Sequence, residues 1–152
     1  MSRVLVRAAA RGDFDAWKRL WDGYNAFYGR VGATALPEEV TLTTWRRFFD
    51  GLEAVHALVA EVDGTIVGIA HSVLHRSTIA IGPNCYLQDL FTAESARGLG
   101  VGRALIEAVC ARARALGATR VYWQTHETNS AAMRLYDQVA EKSGFVVYRR
   151  AP

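Results

Sequence analysis

The chain has 152 residues, of which 51% are hydrophobic and 22% charged, and its formal net charge at pH 7 is +3. This length and composition suit one globular domain with a buried core, and they argue against a disordered or membrane-embedded chain. The basic residues are scattered, without the basic stripe or reader motif of a nucleic-acid-binding protein. We therefore predict a single domain over residues 1–152 that binds no nucleic acid, while the small positive excess is compatible with an anionic small ligand.

Cysteine usage and the first residues indicate the compartment. Cys85 and Cys110 lie far apart in apolar surroundings, which is typical of reduced thiols in an intracellular protein. Neither they nor the four histidines show the spacing of a metal site. The N-terminal residues contain no long apolar segment, so we expect no signal peptide, no membrane association and a cytoplasmic location.

The first half of the chain predicts a strand, two helices and a hairpin. A short strand at residues 4–6 precedes apolar residues that recur at helical spacing from Phe14 to Tyr28. Pro37 and the two glutamates after it make a favourable first turn for a second helix, which carries apolar residues as far as Phe49. Asp63-Gly64 is typical of a hairpin turn between strands at 56–62 and 65–74.

The second half alternates strands with longer helices. We predict strands at residues 85–92, 121–125 and 144–150, and helices at 100–116 and 129–141. The complete order is β-α-α-β-β-β-α-β-α-β. This order predicts a mixed α+β fold with a mainly antiparallel, twisted central sheet that helices flank.

The most informative motif is a glycine-rich turn between a strand and a helix, with the sequence Arg97-Gly98-Leu99-Gly100-Val101-Gly102-Arg103. Such a turn exposes backbone N–H groups at the positive end of a helix dipole and can therefore bind an anion. A dinucleotide-binding fingerprint fails, because Arg103 occupies the place of its third glycine. A Walker A loop fails because the turn contains no lysine. A turn that merely joins the two elements is the remaining structural alternative.

Three segments carry a family resemblance. Arg97, Gly100 and Gly102 match the pyrophosphate loop Gln/Arg-x-x-Gly-x-Gly/Ala of the GNAT superfamily N-acetyltransferases. The run from Asn129 to Tyr136 resembles the GNAT helix after the fifth strand, and the Tyr-Leu-x-Asp-Leu-Phe run that begins at Tyr86 resembles the histone- and polyamine-type acetyltransferases. The resemblance covers nearly the whole chain and implies the GNAT fold, with acetyl-CoA as co-substrate and no metal.

The resemblance also implies which residues bind acetyl-CoA. The end of the strand would contact the pantetheine arm through backbone groups, the glycine turn would bind the pyrophosphate, and one face of the later helix would complete the site. The residues concerned are Leu90, Phe91, Thr92, Arg97, Gly98, Leu99, Gly100, Val101, Gly102, Arg103, Asn129, Ala132 and Tyr136. The side chains of Leu90 and Phe91 can serve the core at the same time, because the cofactor would use the backbone.

Tyr136 and Asp89 are the predicted catalytic residues. Tyr136 would protonate the leaving thiolate, although a lone helical tyrosine is often a core residue. Asp89 would attract the ammonium group of the acceptor, with Glu127 as second candidate and Tyr28 lining the pocket. In the polyamine enzymes that this chain resembles, the place of Gln88-Asp89 is taken by Glu-Asp. One carboxylate is therefore missing here, which weakens the case for a long polycationic substrate.

The sequence thus predicts an N-acetyltransferase that moves acetyl from acetyl-CoA to a primary amine by direct attack in a ternary complex. The acceptor is a small amine, a diamine or a lysine-type group. The alternative is a non-catalytic acyl-CoA-binding sensor or interaction module. Such a module would need the glycines of the turn but not the general acid Tyr136. A homodimer is a possible assembly, since dimers are common among similar proteins.

Overall fold

The computed structural model describes residues 3–152, and within them lie five strands and four α-helices. In chain order these are β1 (Val4–Ala8), α1 (Phe14–Phe27), α2 (Glu38–Arg47), β2 (Val55–Val62), β3 (Thr65–His75), β4 (Asn84–Thr92), α3 (Val101–Ala115), β5 (Arg120–Tyr122) and α4 (Ser130–Val139). Short 3₁₀ turns lie at Arg11–Asp13, Gly32–Thr34 and Glu94–Ala96. The predicted mixed α+β fold is confirmed.

One sheet contains the five strands in the order β1-β2-β3-β4-β5. The first three pairs are antiparallel, and β4 and β5 are parallel. The turn between β2 and β3 is the predicted Asp63-Gly64 hairpin, with φ values of 51° and 79°. Two consecutive left-handed residues give the backbone twist that a tight hairpin requires.

Different helices cover the two faces of the sheet. Apolar residues alternate along β2, so that Leu58 and Ala60 face α3 while Val59 faces α1. The α1 face is largely aromatic, because α1 directs a helical stripe of Trp17, Leu20, Trp21 and Tyr24 inward, beside Trp45 of α2. α4 packs with α3 through Leu135, Tyr136 and Val139.

A β-bulge in β4 sets the direction of the side chains that follow it. His71 of β3 pairs with Asp89 and Ser72 pairs with Leu87, so Gln88 has no counterpart in β3. Leu87 and Leu90, three positions apart, consequently pack on the same α3 face. A regular strand would place them on opposite faces.

The parallel pairing of β4 with β5 is short. Asn84, Cys85 and Tyr86 pair with Arg120, Val121 and Tyr122, and the ladder ends there. From Leu87 onward, β4 is therefore without a strand partner on its β5 side. This opening between the two strands gives access to the middle of the sheet.

Two predictions about the second half are wrong. The strand predicted at 144–150 is coil, and the strand predicted at 121–125 ends at Tyr122. The phenylalanine, valines and tyrosine at 145–148 favour strand geometry, but a strand also needs a neighbouring backbone to pair with. Residues 141–152 instead lie exposed, with Phe145 at 89% and Tyr148 at 92% relative accessibility.

Candidate active site

The glycine-rich turn has the geometry of an anion cradle. Gly98 and Gly100 have φ values of 83° and 81°, and Gly100 immediately precedes α3 as its N-cap. A Cβ at either glycine would meet no other atom within 4 Å, so the space in front of the turn is open. The first N–H groups of α3 have no acceptor within the helix and point toward this space.

The other residues of the turn have differing surroundings. A Cβ on Gly102 would lie 3.2 Å from Leu135, so this glycine also lets α3 approach α4. Arg103 donates to Gln138 of α4 at 2.5 Å. Arg97 donates weakly to the Thr92 carbonyl oxygen at 3.4 Å and is exposed. Leu99 is half-exposed, and Val101 is buried in the α3 core.

A small pocket lies in the opening between β4 and β5. Its walls come from α1, from β4, from the residues that follow β5, and from α4. The lining residues are Tyr24, Tyr28, Leu87, Gln88, Leu90, Trp123, Gln124, Thr125 and Tyr136. Four residues of the predicted site, Tyr28, Gln88, Leu90 and Tyr136, thus come together in three dimensions.

Tyr136 is half-buried in this pocket. Its ring packs edge-on against Trp123, with 5.4 Å between the centroids. Burial, and then the nearby Tyr28, raise the pKa of the Tyr136 hydroxyl above its usual value. A phenol with a raised pKa keeps its proton at neutral pH, so the Tyr136 hydroxyl is available there as a hydrogen-bond and proton donor.

Asn129 and Ala132 lie on the pocket side of α4 with less direct contacts. Asn129 precedes α4 and donates through Nδ2 to Thr125 Oγ1 at 3.3 Å. Ala132 is half-buried one turn before Tyr136. Leu90 and Phe91 serve the core through their side chains, Leu90 on the α3 face and Phe91 on the α1 face. Their backbone pairs with β3 and lies in the part of β4 that has no strand partner on the β5 side.

Asp89 is 9% exposed and is held by a buried chain of hydrogen bonds. Trp17 Nε1 donates to His71 Nε2 at 2.9 Å, and His71 Nδ1 lies 2.9 Å from Asp89 Oδ2. Because an indole N–H can only donate, Nε2 must accept, and the proton of a neutral imidazole must lie on Nδ1. His71 therefore donates a hydrogen bond to the Asp89 carboxylate and fixes its orientation.

Tyr24 connects this chain of hydrogen bonds to the pocket. Burial raises the pKa of the Tyr24 hydroxyl, and the charge of Asp89 and a hydrogen bond to it raise it further. Tyr24 lines the pocket and packs edge-on against Tyr28 at 5.0 Å. Asp89 thus contacts the pocket-lining Tyr24 without lining the pocket, whereas Tyr28 and Gln88 lie in the pocket wall itself.

The structure does not bring Glu127 to the pocket. This residue is exposed in the turn between β5 and α4. Sequence reasoning also missed Trp17 and His71, whose roles depend on the strand register around the bulge. The one available signal was a histidine in the middle of an otherwise apolar strand.

The two thiols are poorly suited to carry an acyl group. Burial raises the pKa of the Cys85 thiol and of the Cys110 thiol, which keeps both in the unreactive protonated form. Within residues 3–152, no three histidine, cysteine or acidic side chains cluster in a way that could hold a metal ion. No helix in that same range is both long and apolar enough to cross a membrane.

Residues 17–140 match the profile of the acetyltransferase (GNAT) family. The chain is 39% identical over 150 residues to the D-amino-acid N-acetyltransferase HPA3 of Saccharomyces cerevisiae, which covers 97% of this chain and 91% of the yeast protein. It is 30% identical over 145 residues to the uncharacterized N-acetyltransferase YhfO of Bacillus subtilis, with 94% of each chain covered.

A solved structure shows the same fold. Aminoglycoside N-acetyltransferase AAC(6')-Iy in complex with CoA superposes with a TM-score of 0.81 at 19% identity, over 99% of this chain and 96% of the other. The resemblance to the histone- and polyamine-type subgroup is not confirmed by these relatives, one of which is named for D-amino acids. At the level of the family the result is clear: the chain belongs to the acetyltransferase (GNAT) family.

Proposed function

We propose that the protein transfers the acetyl group of acetyl-CoA to a small primary amine by direct attack in a ternary complex. The observation that carries this proposal is the juxtaposition of three parts: an open glycine turn before α3, a stretch of β4 without a strand partner on its β5 side, and a protonated Tyr136 beside that stretch. The turn would hold the pyrophosphate, and the backbone of Leu90 to Thr92 would hold the pantetheine arm.

The residues around the pocket divide the chemistry between them. The amine nitrogen forms a bond to the thioester carbonyl carbon, and the carbon–sulfur bond breaks. A backbone N–H at the end of β4 would stabilise the negative oxygen that develops in between. The bound ammonium group first loses one proton to solvent, because only the neutral amine can attack. Tyr136 then donates its proton to the departing thiolate, and the second proton that the nitrogen loses as the amide forms returns Tyr136 to its protonated state through solvent. Asp89, with His71 and Tyr24 bound to it, places negative charge under the incoming ammonium group.

The function is tested by following free-thiol release from acetyl-CoA with a panel of amines. The panel contains D- and L-amino acids, diamines and a lysine peptide. Amino acids are the first choice, because HPA3 is named a D-amino-acid N-acetyltransferase. A non-catalytic acyl-CoA-binding module would bind acetyl-CoA and release no thiol with any of them. The proton donor and the buried carboxylate favour the enzyme.

Replacing Asp89 with asparagine should weaken acceptor binding. Asp89 contacts Tyr24 and does not line the pocket, so it acts on the ammonium group through its charge, and losing that charge should raise the KM for a cationic amine by up to about tenfold, or about 1.4 kcal/mol. The Kd for acetyl-CoA should stay the same, because that site uses backbone groups. Steady-state kinetics measures the first quantity and calorimetry the second. Asp137→Asn removes an exposed carboxylate of α4 and is the matched control. Unchanged kinetics in Asp89→Asn would place the acceptor elsewhere.

We also propose a homodimer in which residues 141–152 of one chain pair with the sheet of the other. This segment carries Phe145, two valines and Tyr148 in exposed positions, and β5 forms an edge of the sheet with only β4 as neighbour. The apolar segment of one copy can pair with the β5 edge of a second copy, which gives the backbone groups of both a hydrogen-bond partner.

Phe145→Asp should raise the dimer dissociation constant at least about tenfold, because it places a charge in an apolar contact. Light scattering after size-exclusion chromatography measures this over a concentration series. Leu52→Asp is the control, since Leu52 is an isolated, 98% exposed leucine in the loop before β2. A wild-type protein that is monomeric at high concentration would contradict the proposal.

A further inference from the structure

We propose that Arg30 binds the carboxylate of the acceptor and so makes the enzyme selective for α-amino acids over simple amines and diamines. This inference rests on the proposed acetyl transfer to a primary amine and names the substrate class of the same pocket. Arg30 lies in the loop after α1, near the two tyrosines that form one wall of the pocket.

The Arg30 side chain is held in one orientation. Its Nε donates to Asn25 Oδ1 at 2.6 Å, and its backbone N–H donates to the Asn25 carbonyl oxygen at 2.8 Å. Asn25 is itself 4% exposed and donates through Nδ2 to the Trp21 carbonyl oxygen at 2.9 Å. A buried amide thus fixes the inner nitrogen of the guanidinium and leaves the two outer nitrogens available.

The guanidinium is also placed against the pocket wall. Its central carbon lies 5.4 Å from the centroid of the Tyr28 ring and 5.7 Å from that of Tyr24. Packing on aromatic rings holds an arginine while its planar donor edge stays open to a carboxylate. Among the described residues, none of the ion pairs formed within the chain uses Arg30. Within that part of the chain, no carboxylate oxygen lies within 4 Å of the Arg30 guanidinium nitrogens.

Tyr24 lies between this cation and the buried acid. The charge of Asp89 raises the pKa of the Tyr24 hydroxyl, and the charge of Arg30 lowers it, so both groups act on the same atom at close range. An anionic group and a cationic group that both contact one pocket-lining tyrosine complement the ammonium and carboxylate of a zwitterion. A diamine or polyamine would instead bring its second positive charge toward Arg30.

The test compares alanine with alaninamide, in which a neutral carboxamide replaces the carboxylate. Arg30→Gln should raise the KM for alanine roughly ten- to a hundredfold, as expected for loss of a charge-assisted bidentate contact, and should leave kcat/KM for alaninamide within about twofold. Arg30→Lys keeps the charge and should fall between wild type and Arg30→Gln. Arg46→Gln, on the exposed side of α2, is the matched control and should behave as wild type with both substrates.

The outcomes separate this inference from the function on which it rests. Release of thiol with alaninamide together with an unchanged KM for alanine in Arg30→Gln would overturn the inference and leave the acetyl transfer standing. Equal losses with alanine and alaninamide would also overturn it, because they would mean that Arg30 only supports the loop. Absence of thiol release from the wild-type protein with every amine would instead refute the proposed function.

Discussion

Gly100→Glu is expected to abolish acetyl-CoA binding, with a rise in Kd of at least about a hundredfold by calorimetry, or roughly 2.8 kcal/mol. The new carboxylate would occupy the open space in front of the turn, where the first N–H groups of α3 attract an anion. A negative side chain there replaces the pyrophosphate as their partner and repels it.

This substitution also strains the backbone, because Gly100 has a φ of 81° and a residue with a Cβ pays roughly 1–2 kcal/mol in that region. Gly117→Glu provides the matched control. Gly117 has a φ of 85°, a Cβ there would also meet no atom within 4 Å, and it follows the opposite end of α3. The control should lose similar stability and retain acetyl-CoA binding. Normal affinity in Gly100→Glu would remove the pyrophosphate assignment.

Tyr136→Phe is expected to lower kcat by about 10²- to 10⁴-fold, the usual range for general acid catalysis, without changing the Kd for acetyl-CoA. Phenylalanine keeps the packing of the ring on Trp123 and removes only the hydroxyl. Single-turnover kinetics separates this loss in the chemical step from slow product release.

The raised pKa of Tyr136 adds a pH criterion. A group that must donate its proton supports turnover below its pKa, and here that pKa lies above the ordinary tyrosine value. Its ionisation should therefore not limit wild-type kcat at neutral pH. Tyr122→Phe removes the hydroxyl of an exposed tyrosine that contacts His75 and is the matched control. Wild-type turnover in Tyr136→Phe would show that the residue serves only packing.

Local signals in the sequence were sufficient to predict most of the fold, including the geometry of the glycine turn. The helical stripe of α1, the Asp63-Gly64 hairpin and the glycine turn each depend on residues close together in the chain. The glycine turn is such a local structure, because positive φ values and a helix N-terminus need only the right residues in a row. The sequence could therefore identify this loop before any tertiary contact was known.

Only the tertiary structure decided the acceptor side. The bulge at Gln88 fixes which face Asp89 occupies, and strict alternation along β4 does not reveal a bulge. His71 contacts Asp89, and Arg30 contacts Tyr24, through partners that are distant in sequence or brought close by a loop. The failure at residues 144–150 has the same origin. Strand propensity is a property of the segment, whereas a strand exists only where another backbone is available to share its hydrogen bonds.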